Sequence, residues 1–366
     1  GITYNINSST EMLEVYSKRL LMRLLVKCLL LFLGLHYSWL FYYIYVSANS
    51  HEEHMPGTKL YHLPTSELHS NSTFQKNRTM SEVHSLSSWT VPHCETSVFV
   101  LIVVLSAPMN FDRRHIIRNT WAEIGDNDRD ITEILINGSY TTQSLVKTVF
   151  LLGQTDEKTQ SVIESESQHY NDIVIGSFTD TYGNLTLKAK LGLEWAQQFC
   201  KSRYYLKTDD DVFVYSKGVV KWLWQLPREG VYTGRCDFNK PVIRKAGHKW
   251  GVSKEDYQRD RFPPYCVGMG YVLSSDVLQN ITSIVRTQPL LKLEDVYVGL
   301  ILEKLKIVPV DRRKYLQVHS DYSWDVCKHK NLLLSLEANP KQMLQLHLKF
   351  LNLWKCGKVD YFKSYL

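Results

Sequence analysis

An α/β fold built on a mainly parallel sheet is predicted for most of this 366-residue chain, and three observations predict it. Val98-Phe99-Val100-Leu101-Ile102-Val103-Val104-Leu105 is a continuous apolar run of strand length. Unbroken rather than alternating apolarity marks a strand covered on both faces, as in a parallel sheet between helices. Further apolar runs at 148–152 and 172–175 alternate with polar stretches of helical length, the rhythm of βαβ units. A fourth strand, Tyr204-Tyr205-Leu206, runs directly into Asp209-Asp210-Asp211, and open α/β sheets bind ligands beyond the carboxyl ends of their strands.

The elements follow in order. Residues 28–46 contain no Asp, Glu, Lys or Arg over 19 positions, enough for a helix to cross a hydrocarbon core of about 30 Å. Lys18, Arg19, Arg23 and Lys27 precede this span, and Glu52 and Glu53 follow it. That asymmetry holds residues 1–27 in the cytosol and sends the rest to the lumen. Tyr37, Trp39, Tyr42, Tyr43 and Tyr45 form an interfacial belt at the exit side. A cleaved signal peptide fits less well, because 27 residues precede the apolar run and no A-x-A site follows it. Residues 47–95 are rich in Ser, His, Thr and Asn without apolar periodicity and read as a luminal stem. Residues 96–366 then form the folded domain.

Composition agrees with this layout. A 44% hydrophobic and 12% aromatic content belongs to a folded chain. The net charge of +6 is not gathered into Lys/Arg tracts, so nucleic acid is not an expected partner. Cys28 lies in the span, which leaves Cys94, Cys200, Cys236, Cys266, Cys327 and Cys356 for disulfides in an oxidising lumen, with the pairing open. No close C-x-x-C pair suggests zinc. Sequons at Asn71, Asn77, Asn137, Asn184 and Asn280 fall on the luminal side, and Asn7 on the cytosolic side stays bare.

Within the domain, residues 113–121 read as a helix presenting Arg114 and Arg118 at i, i+4. The pair could clamp phosphates or form a solvated basic face. Asp180-Thr181-Tyr182-Gly183-Asn184 leads into a helix with Leu185, Ala189, Gly192, Leu193, Ala196 and Phe199 on one stripe. Three adjacent carboxylates at a strand end oppose one another's ionisation, and a cation relieves this. Oxygen ligands suit a hard divalent ion, with water and a phosphate-bearing substrate completing its shell. The triplet therefore points to a metal–diphosphate site, set against a solvated acidic turn.

Beyond it come a Trp-rich helix (Trp222, Trp224) and a polar loop from 234 to 261. Pro263-Pro264 and Gly268-Met269-Gly270 then describe a rigid turn with close backbone approach, a candidate pocket floor. Leu293-Glu294-Asp295 opens an amphipathic helix running to about Lys306. Its acids serve either the helix macrodipole or, near a metal–diphosphate site, general-base catalysis.

Taken together, Arg114-x-x-x-Arg118-x-Thr120-Trp121, Phe150-Leu151-Leu152-Gly153, Asp180-Thr181-Tyr182 with Asn184-Leu185-Thr186-Leu187-Lys188, Lys207-Thr208-Asp209-Asp210-Asp211-Val212-Phe213, the 263–274 block and Glu294-Asp295-Val296-Tyr297-Val298-Gly299 resemble, in the same order, the motifs of the β1,3-galactosyltransferase family of Golgi enzymes. The resemblance covers roughly residues 97–330. It implies a GT-A fold, in which a Rossmann-like nucleotide-sugar domain with a mixed, mainly parallel sheet joins an acceptor-binding part. It also implies a UDP-sugar donor, Mn²⁺, a glycan acceptor on glycoprotein or glycolipid, and a single-pass Golgi membrane location. Asp209 and Asp211 match the D-x-D metal positions, and Asp295 matches the inverting catalytic base. Arg114 and Arg118, with Asp209 and Asp210, lie where the family approaches the donor. The 266–270 and 293–297 motifs look closest to galactose-transferring members, with GalNAc or GlcNAc transfer as alternatives. Homodimerisation stays open. One departure is Leu336, where relatives place a His about nine residues after the cysteine matching Cys327. His319, His329, His347 or water would then complete the metal shell, or the chain would be a glycan-binding member without catalysis. A hydrolase using the acidic cluster is a third reading.

Overall fold

A computed structural model describes residues 92–122, 124, 142–318, 327, 331–336 and 338–351. These belong to the unit Ser72–Leu366. The expected cytosolic tail, the 28–46 span, nearly all of the stem, the sequons at Asn7, Asn71, Asn77 and Asn137, and His319 and His329 lie outside the described residues. Among the described residues no helix is long and apolar enough to cross a membrane.

The chain begins in β1 (Val98–Leu105), every residue of which is buried. Helix α1 (Phe111–Arg118) follows, then β2 (Val146–Gln154), α2 (Glu157–Tyr170) and β3 (Ile173–Thr179). Asp156 caps α2 by accepting from Thr159 N–H at 3.1 Å, and Asn171 closes it in the left-handed conformation at φ 49°. Helix α3 (Leu185–Phe199) returns the chain to β4 (Ser202–Asp209). Then come β5 (Phe213–Val214), α4 (Ser216–Trp224), β6 (Tyr232–Asp237), β7 (Tyr265–Ser274), α5 (Ser275–Ile284), α6 (Glu294–Lys304), β8 (Val310–Asp311), β9 (Leu316–Val318), β10 (Leu334–Leu336) and α7 (Pro340–Leu351).

Seven strands form one sheet in the order β3-β2-β1-β4-β7-β6-β8, and β5-β10-β9 form a small second sheet. Strands β3, β2, β1 and β4 are mutually parallel, β7 runs antiparallel to both β4 and β6, and β8 lies parallel to β6. The sheet is thus mixed and mainly parallel, as the sequence predicted. Its two-sided cover explains why β1 shows no alternation. Ile102 and Val104 pack with residues of α1, α2, α4 and α7, whereas Leu101, Val103 and Leu105 pack with α3, α5 and α6. Because β1 is flanked by β2 on one side and β4 on the other, the chain reverses its winding there, and a crevice opens at the carboxyl ends of β1 and β4.

Two local expectations need correction. Gly268 and Gly270 sit inside β7 rather than in a turn before it. The close approach itself is present: a Cβ on Gly268 would lie 2.7 Å from Glu294 Oε1, and one on Gly270 2.3 Å from Leu334 Cδ2. Helix α6 is not amphipathic either. Glu294, Val296, Tyr297, Val298, Gly299, Ile301 and Leu302 are all buried, because this helix lies against β7 and α3 rather than against solvent.

Disulfides join Cys94 to Cys200 and Cys236 to Cys266, and Cys327 is also disulfide-bonded. The first ties the start of the domain to the end of α3, and the second crosses β6 and β7.

Candidate active site

The aspartate triplet leaves β4 beside the end of β1, and its three side chains part ways. Asp210 is buried and turns toward the β1–α1 loop. Its Oδ2 accepts from Ser106 Oγ at 2.7 Å, Asn110 Nδ2 at 2.8 Å and Ala107 N–H at 3.4 Å. Oδ2 of Asp210, one of the residues expected beside the donor, is therefore satisfied within the protein. Arg113 completes the anchor, donating to the Asp210 carbonyl at 3.3 Å with its guanidinium 4.0 Å from Oδ1.

Asp209 and Asp211 are placed differently. The Asp209 side chain keeps 35% of its surface exposed. Asp211 is more enclosed, and its Oδ1 is buried with no hydrogen-bond partner. Burial, then the neighbouring Asp209 and Asp210 charges, push the Asp211 carboxyl up from its ordinary value. An orphaned carboxylate oxygen beside two further carboxylates is unfavourable unless a cation offsets it. These residues fit a hard divalent ion. Among the described residues no group of three or more His, Cys, Asp or Glu side chains could hold a metal by itself. A site in which two carboxylates share the ion with water and phosphate does not require such a group.

Lys207, one turn of the pleat inside β4, connects the triplet to the Glu294-Asp295 pair. Its ammonium lies 2.8 Å from Asp209 Oδ1 and 2.5 Å from Glu294 Oε1, and it donates to the Gly268 carbonyl at 2.6 Å. Burial alone would lower its pKa, but Asp209 and Glu294 outweigh burial and raise it. Glu294 is pushed up to about 7, by burial first, with Lys207 opposing and Asp295 and Asp209 adding to the rise. Asp295, half-buried in the first turn of α6, accepts from Gly268 N–H at 3.2 Å and Val296 N–H at 2.8 Å. Burial raises its proton affinity, and the two N–H groups and Lys207 only partly counter it. A second buried pair closes the rim: Lys188 binds Asp180 at 2.7 Å and donates to the Ser106 carbonyl at 2.7 Å, while Asp180 accepts from Gly153 N–H.

Arg114 and Arg118 are committed elsewhere. Arg114 is fully buried, paired with Glu166 at 2.7 Å and donating to the carbonyls of Ala107 and Pro108. Arg118 bridges Glu166 and Asp172, each at 2.7 Å. The two arginines expected near the donor thus make a network that fixes α1 to α2 and supports the β1–α1 loop from behind. Burial pushes Glu166 up, yet the two arginines outweigh it and hold it below the usual carboxylate range. The network's contribution is accordingly present near neutral pH and lost as pH falls through the acid range. Arg114→Met is expected to cost about 3 kcal/mol, at the lower end for a broken buried pair because Arg118 still serves Glu166. Urea midpoints at pH 7 measure it, and an unchanged midpoint would contradict this role.

Leu336 is half-buried in β10 and packs on the core. Two residues on, Ala338 N–H donates to the Asp211 carbonyl at 2.8 Å, so this segment runs beside the triplet with no ligating side chain at 336. His347 lies on α7, its pKa lowered by burial and by Lys217. Sequence reasoning assigned no role to Lys207 or Arg113 and did not foresee the pairing of Lys207 with Glu294. The available signal was a lysine in the middle of a buried strand, between Leu206 and Thr208.

Comparison with known proteins gives concordant matches. Residues 112–313 match the family model described as galactosyltransferase. Human beta-1,3-galactosyltransferase 5 (Homo sapiens) is 37% identical over 216 residues, covering 58% of this chain and 65% of that protein. Mouse beta-1,3-galactosyltransferase 1 (Mus musculus) is 33% identical over 256 residues, covering 68% of this chain and 73% of that protein. Among solved structures, the bifunctional glycosyltransferase WbbM is 10% identical with a TM-score of 0.36, covering 73% of this chain and 53% of that one, too remote to bear on the chemistry.

Proposed function

Because the chain belongs to the galactosyltransferase family, we propose that it transfers galactose from UDP-galactose to the 3-hydroxyl of a terminal sugar on a glycan, inverting the anomeric centre to form a β1,3 linkage. The observation that carries this reading is the bridge from Asp209 through Lys207 to Glu294, which fixes the first turn of α6, and so Asp295, beside the carboxyl end of β4.

Asp295 is the general base. Its two backbone N–H donors orient the carboxylate, and its raised proton affinity suits it to take a proton from an acceptor hydroxyl. The α6 N-terminus stabilises the ionised form before the proton arrives. The hydroxyl oxygen attacks the anomeric carbon from the face opposite the departing UDP, as an inverting displacement requires. A divalent ion such as Mn²⁺, held by Asp209 and Asp211, would neutralise the charge gathering on the diphosphate. Lys207 keeps Asp209 and Glu294 in register while this happens, and Asp210 locks the triplet to the β1–α1 loop. The 28–46 span supports a Golgi membrane location with the catalytic domain in the lumen, where glycans of glycoproteins and glycolipids are the acceptors.

The test offers UDP-galactose, UDP-GalNAc and UDP-GlcNAc in turn to the full chain in detergent, with GlcNAc- and galactose-terminated acceptors. Galactose transfer in a β1,3 linkage is expected, abolished by chelation and restored by Mn²⁺. Equal rates with and without chelator would remove the metal from the reading. A second reading, a glycan-binding protein without transfer activity, is favoured by Leu336. It predicts acceptor binding with no product from any donor.

A further inference from the structure

The connection between β6 and β7 (residues 238–264) is braced more heavily than a connector requires. Its two limbs pair through Val242 N–H to the Asp260 carbonyl, Phe262 N–H to Lys240 and Val252 N–H to Ile243. Arg244 sits at its centre and donates to the carbonyls of Val252, Ser253, Tyr257 and Arg259. Tyr257 and Phe262 root the base of the loop in the core. What this scaffold presents is an indole: Trp250 is 53% exposed, and its backbone N–H donates to His248 Nδ1 at 3.1 Å.

Trp250 is not isolated. The Lys249 ammonium stands 5.0 Å from the Tyr182 ring centroid and 5.9 Å from that of Trp250. Tyr182, itself 43% exposed, belongs to the short turn Tyr182–Asn184 that opens α3. That end of α3 is fastened near α6, for Thr186 Oγ1 donates to the Leu291 carbonyl, three residues before Glu294. Two residues before Tyr182, Asp180 pairs with Lys188, whose ammonium donates to the Ser106 carbonyl just past the end of β1, so this turn borders the same crevice.

A lone exposed aromatic residue needs no explanation. Two rings from different elements, joined by a cation and one of them carried on a heavily hydrogen-bonded loop, form a recognition surface. A pyranose suits it. One face of such a ring carries C–H groups that pack on an aromatic plane, and its rim carries hydroxyls for a phenol and an ammonium. We infer that Trp250, Tyr182 and Lys249 form the subsite that seats the acceptor sugar, stacked on the indole with its reacting hydroxyl toward Asp295. This rests on the transferase reading above. The donor is the less suitable occupant, because its diphosphate belongs with the metal carboxylates and the base must touch the acceptor.

The experiment compares wild type with Trp250→Ala and Trp250→Phe in full-chain transfer assays, varying acceptor and donor separately. The expected result for Trp250→Ala is an acceptor KM raised about tenfold, the loss of one aromatic stacking contact, with donor KM unmoved; Trp250→Phe recovers much of the loss. An unchanged acceptor KM, or a rise confined to donor KM, would overturn the proposal. Saturation-transfer NMR with the methyl β-glycosides of GlcNAc and galactose reads the subsite without turnover. If wild type transfers no sugar, the proposed function fails, yet saturation transfer lost in Trp250→Ala would uphold the subsite and its absence in wild type would refute it.

Discussion

Asp295→Asn is expected to lower kcat for galactose transfer about 10²–10⁴-fold, the usual contribution of a positioned general base, while Mn²⁺-dependent UDP binding persists. The substitution is nearly isosteric. Its amide oxygen can still accept from Gly268 N–H or Val296 N–H, whereas its nitrogen can neither accept from the other nor take a proton from a hydroxyl. Asp209, Asp211 and Lys207 are untouched, so the diphosphate end should bind as before. The pH profile adds a separate check. Burial raises the Asp295 carboxyl above its ordinary 3.8, and the base works only when ionised. Wild-type kcat/KM should therefore fall as pH drops through a limb above the normal carboxylate range, and the residual Asp295→Asn rate should lack that limb. Full turnover in a variant that melts like wild type would remove Asp295 from the mechanism.

What the sequence revealed and what it hid follow from the range of the interactions. The two-sided burial of β1 was legible because it depends only on consecutive residues, and the triplet at the end of β4 was legible because a strand and a charge cluster are both local signals. The D-x-D reading carried a hidden distinction: consecutive side chains at a strand end diverge, so Asp210 is drawn to Ser106 and Asn110, while Asp211 keeps an unpaired oxygen. The network that Arg114 and Arg118 make with Glu166 and Asp172 was not legible, because an i, i+4 basic pair has the same spacing whether it meets phosphate or a carboxylate. Lys207 and Glu294 meet across 87 residues, a contact that neither local pattern encodes. The glycines of β7 looked like turn formers for a similar reason. Their cause lies on other elements, in Glu294 and Leu334, which occupy the space their side chains would take.

Lys207→Met tests that long-range contact and is expected to cost about 3–5 kcal/mol of stability near neutral pH, the penalty for leaving a buried charge without its partner. Met replaces most of the aliphatic stem, so the loss is mainly electrostatic. Asp209 can rehydrate, since about a third of its side chain is exposed, but Glu294 at 6% exposure cannot. The sign of the pH dependence follows from Glu294, already raised from 4.5 to about 7 with the lysine present. Without Lys207 its folded-state pKa climbs further, and a carboxyl with a raised folded-state pKa favours the fold below its unfolded value and opposes it as pH rises. The deficit relative to wild type should thus be largest near pH 8 and shrink toward pH 5. Adding Glu294→Gln removes the stranded charge, so the double variant should regain much of the stability lost at pH 8. Urea midpoints at the two pH values decide the matter. A deficit that is the same at both and indifferent to Glu294→Gln would show that Lys207 holds the corner by packing and not by charge.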